Sequence, residues 1–131
     1  MAHDHETTYG PPVREALAGP YRALRDAIPD VLSAHAAIGR AAMGDGELST
    51  KTKELIALAI AITRECDGCI AAHAQGAFRR GASTAEVAET IGVAVMMNGG
   101  PGTVWGARAL AAFAEFAAAT APTSTGGAAS G

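Results

Sequence analysis

Two cysteines and a histidine near the middle of the chain have the residue types and the spacing of a thiol redox centre. Cys66 and Cys69 form a Cys-x-x-Cys motif, and His73 follows the second cysteine by four residues. Residues three and four apart on a helix lie on one face, so the three side chains share one stripe. A small shift in the first helical turn would bring the sulfurs within bonding distance. The pair can therefore alternate between dithiol and disulfide.

The predicted position of the cysteines also favours the reactive thiolate form. A helix is predicted over residues 67–80, which places both sulfurs near a helix N-terminus. The positive end of the helix dipole stabilises a thiolate there. His73 can accept the thiol proton or pair with the thiolate as a cation.

Glu54 is the acidic residue best placed to act on His73. A helix is predicted over residues 50–63, and its short connection to the helix over residues 67–80 favours an antiparallel hairpin. At about 1.5 Å per residue, Glu54 lies about 16 Å from the turn and His73 about 12 Å. A glutamate side chain covers this difference. We therefore expect Glu54 to orient His73, and His73 to deprotonate a cysteine.

The remaining elements are predicted to be helices that position this hairpin. Hydrophobic residues make up 49% of the 131 residues but aromatic residues only 5%, and much of the hydrophobic content is alanine. Alanine favours helices and their close approach, and alternating runs typical of strands do not occur. The expected fold is all-α, a compact bundle of five to six short helices with a central antiparallel hairpin carrying the Cys-x-x-Cys motif.

Prolines, glycines and caps predict the bounds of the other helices. A helix over residues 12–27 is expected to be interrupted near Gly19-Pro20. Gly81 suits a left-handed residue at the end of the hairpin. The further helices are expected over residues 29–43 with a partly buried face of Val31, Leu32, Ile38 and Met43, over 84–97 after a capping box at Ser83 and Glu86, and over 103–118.

One folded domain is expected over residues 12–120. Residues 1–11 are largely polar and residues 121–131 contain only small residues, so both ends are expected to be disordered. An apolar export signal is not evident, which makes the cytoplasm the expected compartment. The net charge of −3 gives no indication of a nucleic-acid partner, and the longest apolar run is too short for a bilayer.

The spacing of Glu54, Cys66, Cys69 and His73 resembles the signature of the alkylhydroperoxidase D-like branch of the carboxymuconolactone decarboxylase superfamily. The similarity extends over about residues 30–118. It implies an all-α fold, assembly as a homotrimer or homohexamer, and peroxidase and disulfide-reductase chemistry without a cofactor. Three flanking segments also resemble that family, at residues 48–59, 79–83 and 96–101.

The resemblance also implies a role for each site residue. Cys69 would attack a hydroperoxide and become a sulfenic acid, and Cys66 would resolve it to a disulfide. Glu54 and His73 would relay protons. An external dithiol, either a lipoyl group or a thioredoxin-like protein, would restore the reduced state. The best-known family members have a histidine directly before the second cysteine, where this chain has Gly68.

Other interpretations remain open from the residues alone. The cysteines could be small buried hydrophobic residues or zinc ligands together with His73 and Glu54. Glu54 could be a solvated surface acid, with Glu65 as the rival acid beside the cysteines. The chain could also be a lyase, decarboxylase or isomerase that uses Glu54 and His73 as acid and base. Finally, it could be a non-catalytic module whose oxidation changes only its assembly.

Some further residues have a functional and a plainer structural interpretation. Trp105 and the pair Met96-Met97 could line a substrate pocket, but burial in the helical core or in a subunit contact is the expectation. Arg64 and Arg108 could hold an anionic substrate, and surface ion pairs are the expectation.

Overall fold

The computed structural model describes residues 8–120, and within this range the chain forms six α-helices and no strand. This confirms the all-α prediction. Nowhere in residues 8–120 does a helix combine the length and the apolar character needed to cross a membrane. The helices are α1 (Pro11–Ala27), α2 (Pro29–Met43), α3 (Thr50–Thr63), α4 (Asp67–Arg79), α5 (Thr84–Asn98) and α6 (Gly100–Thr120).

The core lies between the last four helices, and the α3–α4 hairpin is part of it. Phe78 of α4 packs edge-on against Phe113 of α6, with ring centroids 5.9 Å apart. Alanine provides much of the remaining contact surface, which lets the helices approach closely. The largest fully buried side chains are Leu58, Ile62, Ile70 and Val87, and the buried alanines include Ala61, Ala71, Ala74, Ala77, Ala94, Ala109 and Ala112.

Local caps fix the ends of the hairpin. The Ser49 hydroxyl accepts a hydrogen bond from the Thr52 amide at 3.1 Å and begins α3. Between α3 and α4 the chain reverses through Arg64 and Glu65, and Glu65 has the left-handed φ of 55°. Gly81, with φ of 83°, follows α4 in the conformation that the sequence predicted.

The capping box at the start of α5 is also confirmed. The Ser83 hydroxyl accepts from the Glu86 amide at 3.1 Å, and the Glu86 carboxylate accepts from the Ser83 amide at 3.0 Å. Glu86 additionally pairs with Lys51 of α3 at 2.9 Å. These contacts lower the pKa of Glu86, first through the Lys51 side chain and then through the Ser83 amide.

The predicted interruption of the first helix is wrong. α1 is continuous from Pro11 to Ala27 with Pro20 inside it. Pro20 removes one backbone donor, which leaves the carbonyl of Ala16 without its helical partner. Ala16 is exposed and α1 contains no buried residue, so water can satisfy that carbonyl.

The predicted partly buried face of α2 is confirmed for only half of its residues. Leu32 and Met43 are half-buried, whereas Val31 and Ile38 are 61% and 67% exposed. The reason is the position of α2, which packs only against α1 and α3 and has no other helix beside it.

The chain is held against α6 earlier than the sequence predicted. The backbone amides of Tyr9 and Gly10 donate to the Glu115 carboxylate at 3.0 Å and 3.4 Å. Gly10 is buried, and a Cβ there would lie 3.0 Å from both the Ala112 carbonyl oxygen and the Phe116 ring. The predicted disorder of residues 1–7 and 121–131 lies outside the described residues.

Candidate redox site

Cys66 and Cys69 are joined by a disulfide at the start of α4, with Cα atoms 5.2 Å apart. Cys66 is the N-cap residue, and its Sγ accepts a hydrogen bond from the Cys69 amide at 3.3 Å. Cys66 is half-buried, whereas Cys69 is exposed. Cys69 is therefore more accessible than Cys66 to a molecule in solution.

Glu54 and His73 are brought together across the hairpin. The Oε2 atom of Glu54 lies 2.8 Å from Nδ1 of His73, and the two side chains are 15% and 33% exposed. This pairing occupies Nδ1 and leaves Nε2 for a second partner. His73 follows Cys69 by one helical turn on the same face of α4. The arrangement places an oriented imidazole one helical turn from Cys69, and the catalytic roles of these residues stay a prediction.

Gly76 is a site residue that the sequence did not reveal. It lies one turn beyond His73 on α4, and a Cβ at this position would overlap the carboxyl group of Glu54. The missing side chain is therefore what lets Glu54 lie against α4 and reach His73. A glycine inside a helix costs about 1 kcal/mol relative to alanine. A glycine in a predicted helix therefore indicates a close contact at that position, but it does not identify which side chain makes the contact.

The carboxyl group of Glu54 also borders a polar cleft. This cleft has a volume of about 440 Å³ and is lined by Arg40, Asp45 and Arg80 as well as Glu54. Glu54 thus connects His73 with a second surface of the molecule.

Asp45 fixes the loop that leads into α3 and hence the start of the helix that carries Glu54. Its Oδ1 accepts from the Thr50 amide at 2.8 Å and from the Thr50 hydroxyl at 3.0 Å. These two hydrogen bonds, the backbone one first, lower the pKa of Asp45. The sequence places this loop between the helices predicted over residues 29–43 and 50–63, but it does not predict this contact.

Arg108 of α6 lies next to Asp67 of the cysteine motif. Its guanidinium group lies 4.4 Å from the centroid of the Trp105 ring and 5.3 Å from that of Tyr9. One of its nitrogens lies 3.9 Å from the carboxylate of Asp67, the residue after Cys66. The expected surface ion pair is therefore present, and stacking on two rings holds its cation in place.

Trp105 is half-buried and packs against the core, as expected for a helical core residue. Met96 and Met97 differ, because 72% and 75% of their surface is exposed in the single chain. The core interpretation is therefore wrong for the two methionines, and their role in a subunit contact stays a prediction.

Gly68 is linked to the packing of α1. A Cβ at Gly68 would lie 2.8 Å from Cδ1 of Leu17. The side chain of Leu17 thus occupies the space into which a larger residue at position 68 would extend. The glycine at this position therefore accompanies an α1 helix that lies directly against the cysteine motif.

The rival acid Glu65 does not join the site. It is an exposed turn residue, and the His73 nitrogen is hydrogen-bonded to Glu54 instead. Among residues 8–120, no three His, Cys, Asp or Glu side chains are grouped so that they could hold a metal ion together.

Comparisons with known proteins agree with this fold. A profile of the Carboxymuconolactone decarboxylase family matches residues 29–121. An uncharacterized protein from Cupriavidus necator is 39% identical over 93 residues, which are 71% of this chain and 82% of that protein. Uncharacterized protein 4 in the cox locus of Paracoccus denitrificans is 38% identical over 80 residues, which are 61% of this chain and 72% of that protein.

A solved structure is similar as well. The crystal structure of apo-lpg0406, a carboxymuconolactone decarboxylase family protein from Legionella pneumophila, has a TM-score of 0.77 and 38% sequence identity. The match covers 79% of this chain and 93% of the Legionella chain. The family profile, the relatives and the shared fold lead to one conclusion: this chain belongs to the carboxymuconolactone decarboxylase family.

Proposed function

We propose that this chain is a thiol-dependent peroxidase and disulfide reductase of the alkylhydroperoxidase D-like branch of its family. The observation that carries the proposal is a cysteine pair at disulfide distance with His73 on the same face of α4. His73 is hydrogen-bonded to Glu54 of α3. A pair that only packed in the core would need neither an exposed Cys69 nor a neighbouring imidazole.

The oxidising half of the cycle starts from the dithiol. His73 accepts the Cys69 proton, and the thiolate attacks one oxygen of a hydroperoxide. The O–O bond breaks, an S–O bond forms, and the departing alkoxide takes the proton to leave as an alcohol. Cys66 then attacks the sulfur of the sulfenic acid and expels water. The product is the Cys66–Cys69 disulfide, so the two electrons that reduce the peroxide come from the two thiols.

The reducing half of the cycle uses an external dithiol, either a lipoyl group or a thioredoxin-like protein. Its thiolate attacks the exposed Cys69 sulfur, and Cys66 leaves as a thiolate. The hydrogen bond from the Cys69 amide to Cys66 Sγ and the N-terminus of α4 stabilise that leaving group. The second thiol of the reductant then attacks the mixed disulfide with Cys69. The reductant leaves as its own disulfide, and both cysteines are thiols again.

Turnover of an alkyl hydroperoxide with dihydrolipoamide as reductant tests this proposal. Cys69→Ser is expected to abolish peroxide consumption, because Cys69 lies one helical turn from His73 whereas Cys66 lies two turns away. Cys66→Ser is expected to allow one oxidation per chain and no further turnover through the Cys66–Cys69 disulfide. The chain contains only these two cysteines, so neither variant has a substitute thiol. Equal turnover by the wild type and Cys69→Ser would contradict the proposed roles.

A second candidate is a lyase, decarboxylase or isomerase on the same fold. The Glu54–His73 pair supports it, because a carboxylate and an imidazole at 2.8 Å form an acid–base pair without any sulfur. Activity that survives replacement of both cysteines by serine would favour this candidate over the peroxidase.

We also propose that the protein works in the cytoplasm as a homotrimer or homohexamer. The support for assembly is an apolar groove of about 420 Å³ between α3 and α5. Three of its lining residues, Ile56, Ile60 and Val93, are 46–57% exposed in the single chain. Apolar faces of this kind are typical of surfaces that a partner covers. Sedimentation velocity of the wild type and of Ile60→Asp tests it, and a monomeric wild type would contradict it.

A further inference from the structure

A second groove runs between α1 and α4. It has a volume of about 590 Å³, within the range of roughly 300–1,000 Å³ that is typical of small-molecule sites. One part of its wall is apolar and comes from Leu17, Ala18 and Tyr21 of α1. We call this feature the α1–α4 groove.

The α1–α4 groove reaches the redox motif through Leu17. This side chain lines the groove and also fills the space next to Gly68, the residue directly before Cys69. On α4, the groove residues Gln75 and Arg79 follow Gly68 by seven and eleven positions and therefore share its face. On α4 the groove is lined from Gln75 to Arg79, and Gln75 lies six residues, about 9 Å at 1.5 Å per residue, beyond Cys69.

The polar part of the α1–α4 groove carries a net positive charge. Arg14 and Arg79 line it together with one acid, Glu15, and the amide of Gln75. Neither arginine forms an ion pair with another residue in the range 8–120. Guanidinium groups bind carboxylates through paired charge-assisted hydrogen bonds. A carboxylate with an alkyl chain matches both the charge and the apolar wall.

We propose that the α1–α4 groove binds the alkyl chain and the carboxylate of a medium-chain hydroperoxy acid, with the peroxide at Cys69. Leu17, Ala18 and Tyr21 contact the chain, and Arg14 and Arg79 bind the carboxylate. This substrate class rests on the peroxidase function proposed above, and the redox step is the same one. The oxygen that Cys69 does not take leaves as the hydroxyl group of a hydroxy acid.

Binding of sodium decanoate, which contains no peroxide, tests the groove independently of turnover. We expect decanoate to slow alkylation of Cys69 in the reduced protein, and decanol to have a much weaker effect. Arg79→Gln should weaken decanoate binding about 10-fold, as expected for the loss of one charge-assisted hydrogen bond. Arg25→Gln is the matched control, because Arg25 is an exposed arginine of α1 outside the groove. Equal decanoate affinity in the wild type and in Arg79→Gln would overturn the groove proposal.

Turnover of a ten-carbon hydroperoxy acid and of its methyl ester provides the second readout. The wild type should prefer the acid through a lower KM, and Arg79→Gln should lose most of that preference. The rate with tert-butyl hydroperoxide, which has no carboxylate, should fall much less in Arg79→Gln than the rate with the acid. A wild type that consumes acid and ester equally well would reject the groove and keep the peroxidase. If the wild type consumes no peroxide, but decanoate binds the wild type and not Arg79→Gln, the peroxidase proposal is rejected and the groove is kept as a carboxylate site.

Discussion

Replacing Gly76 by alanine tests whether the Glu54–His73 pair drives the chemistry. The new Cβ would overlap the carboxyl group of Glu54, which must then move away from α4. The backbone of α4 cannot yield easily, because Ala74 and Ala77 beside it are fully buried. We therefore expect the 2.8 Å hydrogen bond between Glu54 and His73 to be lost.

The size of the effect follows from the two contributions of this substitution. Alanine is favoured over glycine inside a helix by about 1 kcal/mol. The lost hydrogen bond to a charged group costs about 1.5–3 kcal/mol, so the net free energy of unfolding should fall by about 1 kcal/mol. If the same hydrogen bond orients His73 in the transition state, peroxide turnover should fall about 10- to 100-fold.

Chemical denaturation and steady-state peroxide turnover measure the two quantities. Gly92→Ala is the matched control, because Gly92 lies on α5 and nothing approaches its Cβ position within 4 Å. This control should gain stability and keep its turnover. Glu54→Gln should lower turnover as Gly76→Ala does, and the double variant should show little additional loss because both changes break one contact. A Gly76→Ala protein with increased stability and wild-type turnover would refute this reasoning.

Two other predictions concern stability. Glu65→Gly should raise the free energy of unfolding by about 1 kcal/mol, because the left-handed φ of 55° strains a residue with a Cβ; urea denaturation measures this, and peroxide turnover should stay unchanged because Glu65 is outside the site. The pH dependence of stability should reflect Asp45 and Glu86, whose folded pKa values lie below their unfolded values of 3.8 and 4.5. Their stabilising contribution is present above the unfolded values and is lost as pH falls through the folded ones. Urea denaturation between about pH 5 and pH 3 should therefore show a smaller decline in Asp45→Asn than in the wild type, and equal declines would contradict the assigned hydrogen bonds.

The features that the sequence predicted well are encoded within a few neighbouring residues. The capping box at Ser83 and Glu86 and the turn after α4 at Gly81 depend on local backbone geometry, and the structure has both. The approach of Glu54 to His73 followed from the rise per residue of two helices and a short connection. This distance argument works because the connection is too short to let the hairpin slide.

The features that the sequence did not predict depend on contacts between distant segments. Pro20 is compatible with a continuous α1 because that helix has no buried residue. Gly76 is required by a side chain 22 positions earlier, and the space next to Gly68 is filled by Leu17 of α1. Local propensity carries no information on which segment packs against such a position.

One single-turnover experiment tests the proposed redox chemistry most directly. Reduced protein is mixed with one equivalent of alkyl hydroperoxide, and intact and peptide masses are recorded with and without dimedone, which traps sulfenic acids. We predict that the wild type forms the Cys66–Cys69 disulfide, that Cys66→Ser carries the trapped sulfenic acid on Cys69, and that Cys69→Ser is unmodified. Oxidation of wild-type Cys69 no faster than a free cysteine, or a sulfenic acid on Cys66 instead, would contradict the account.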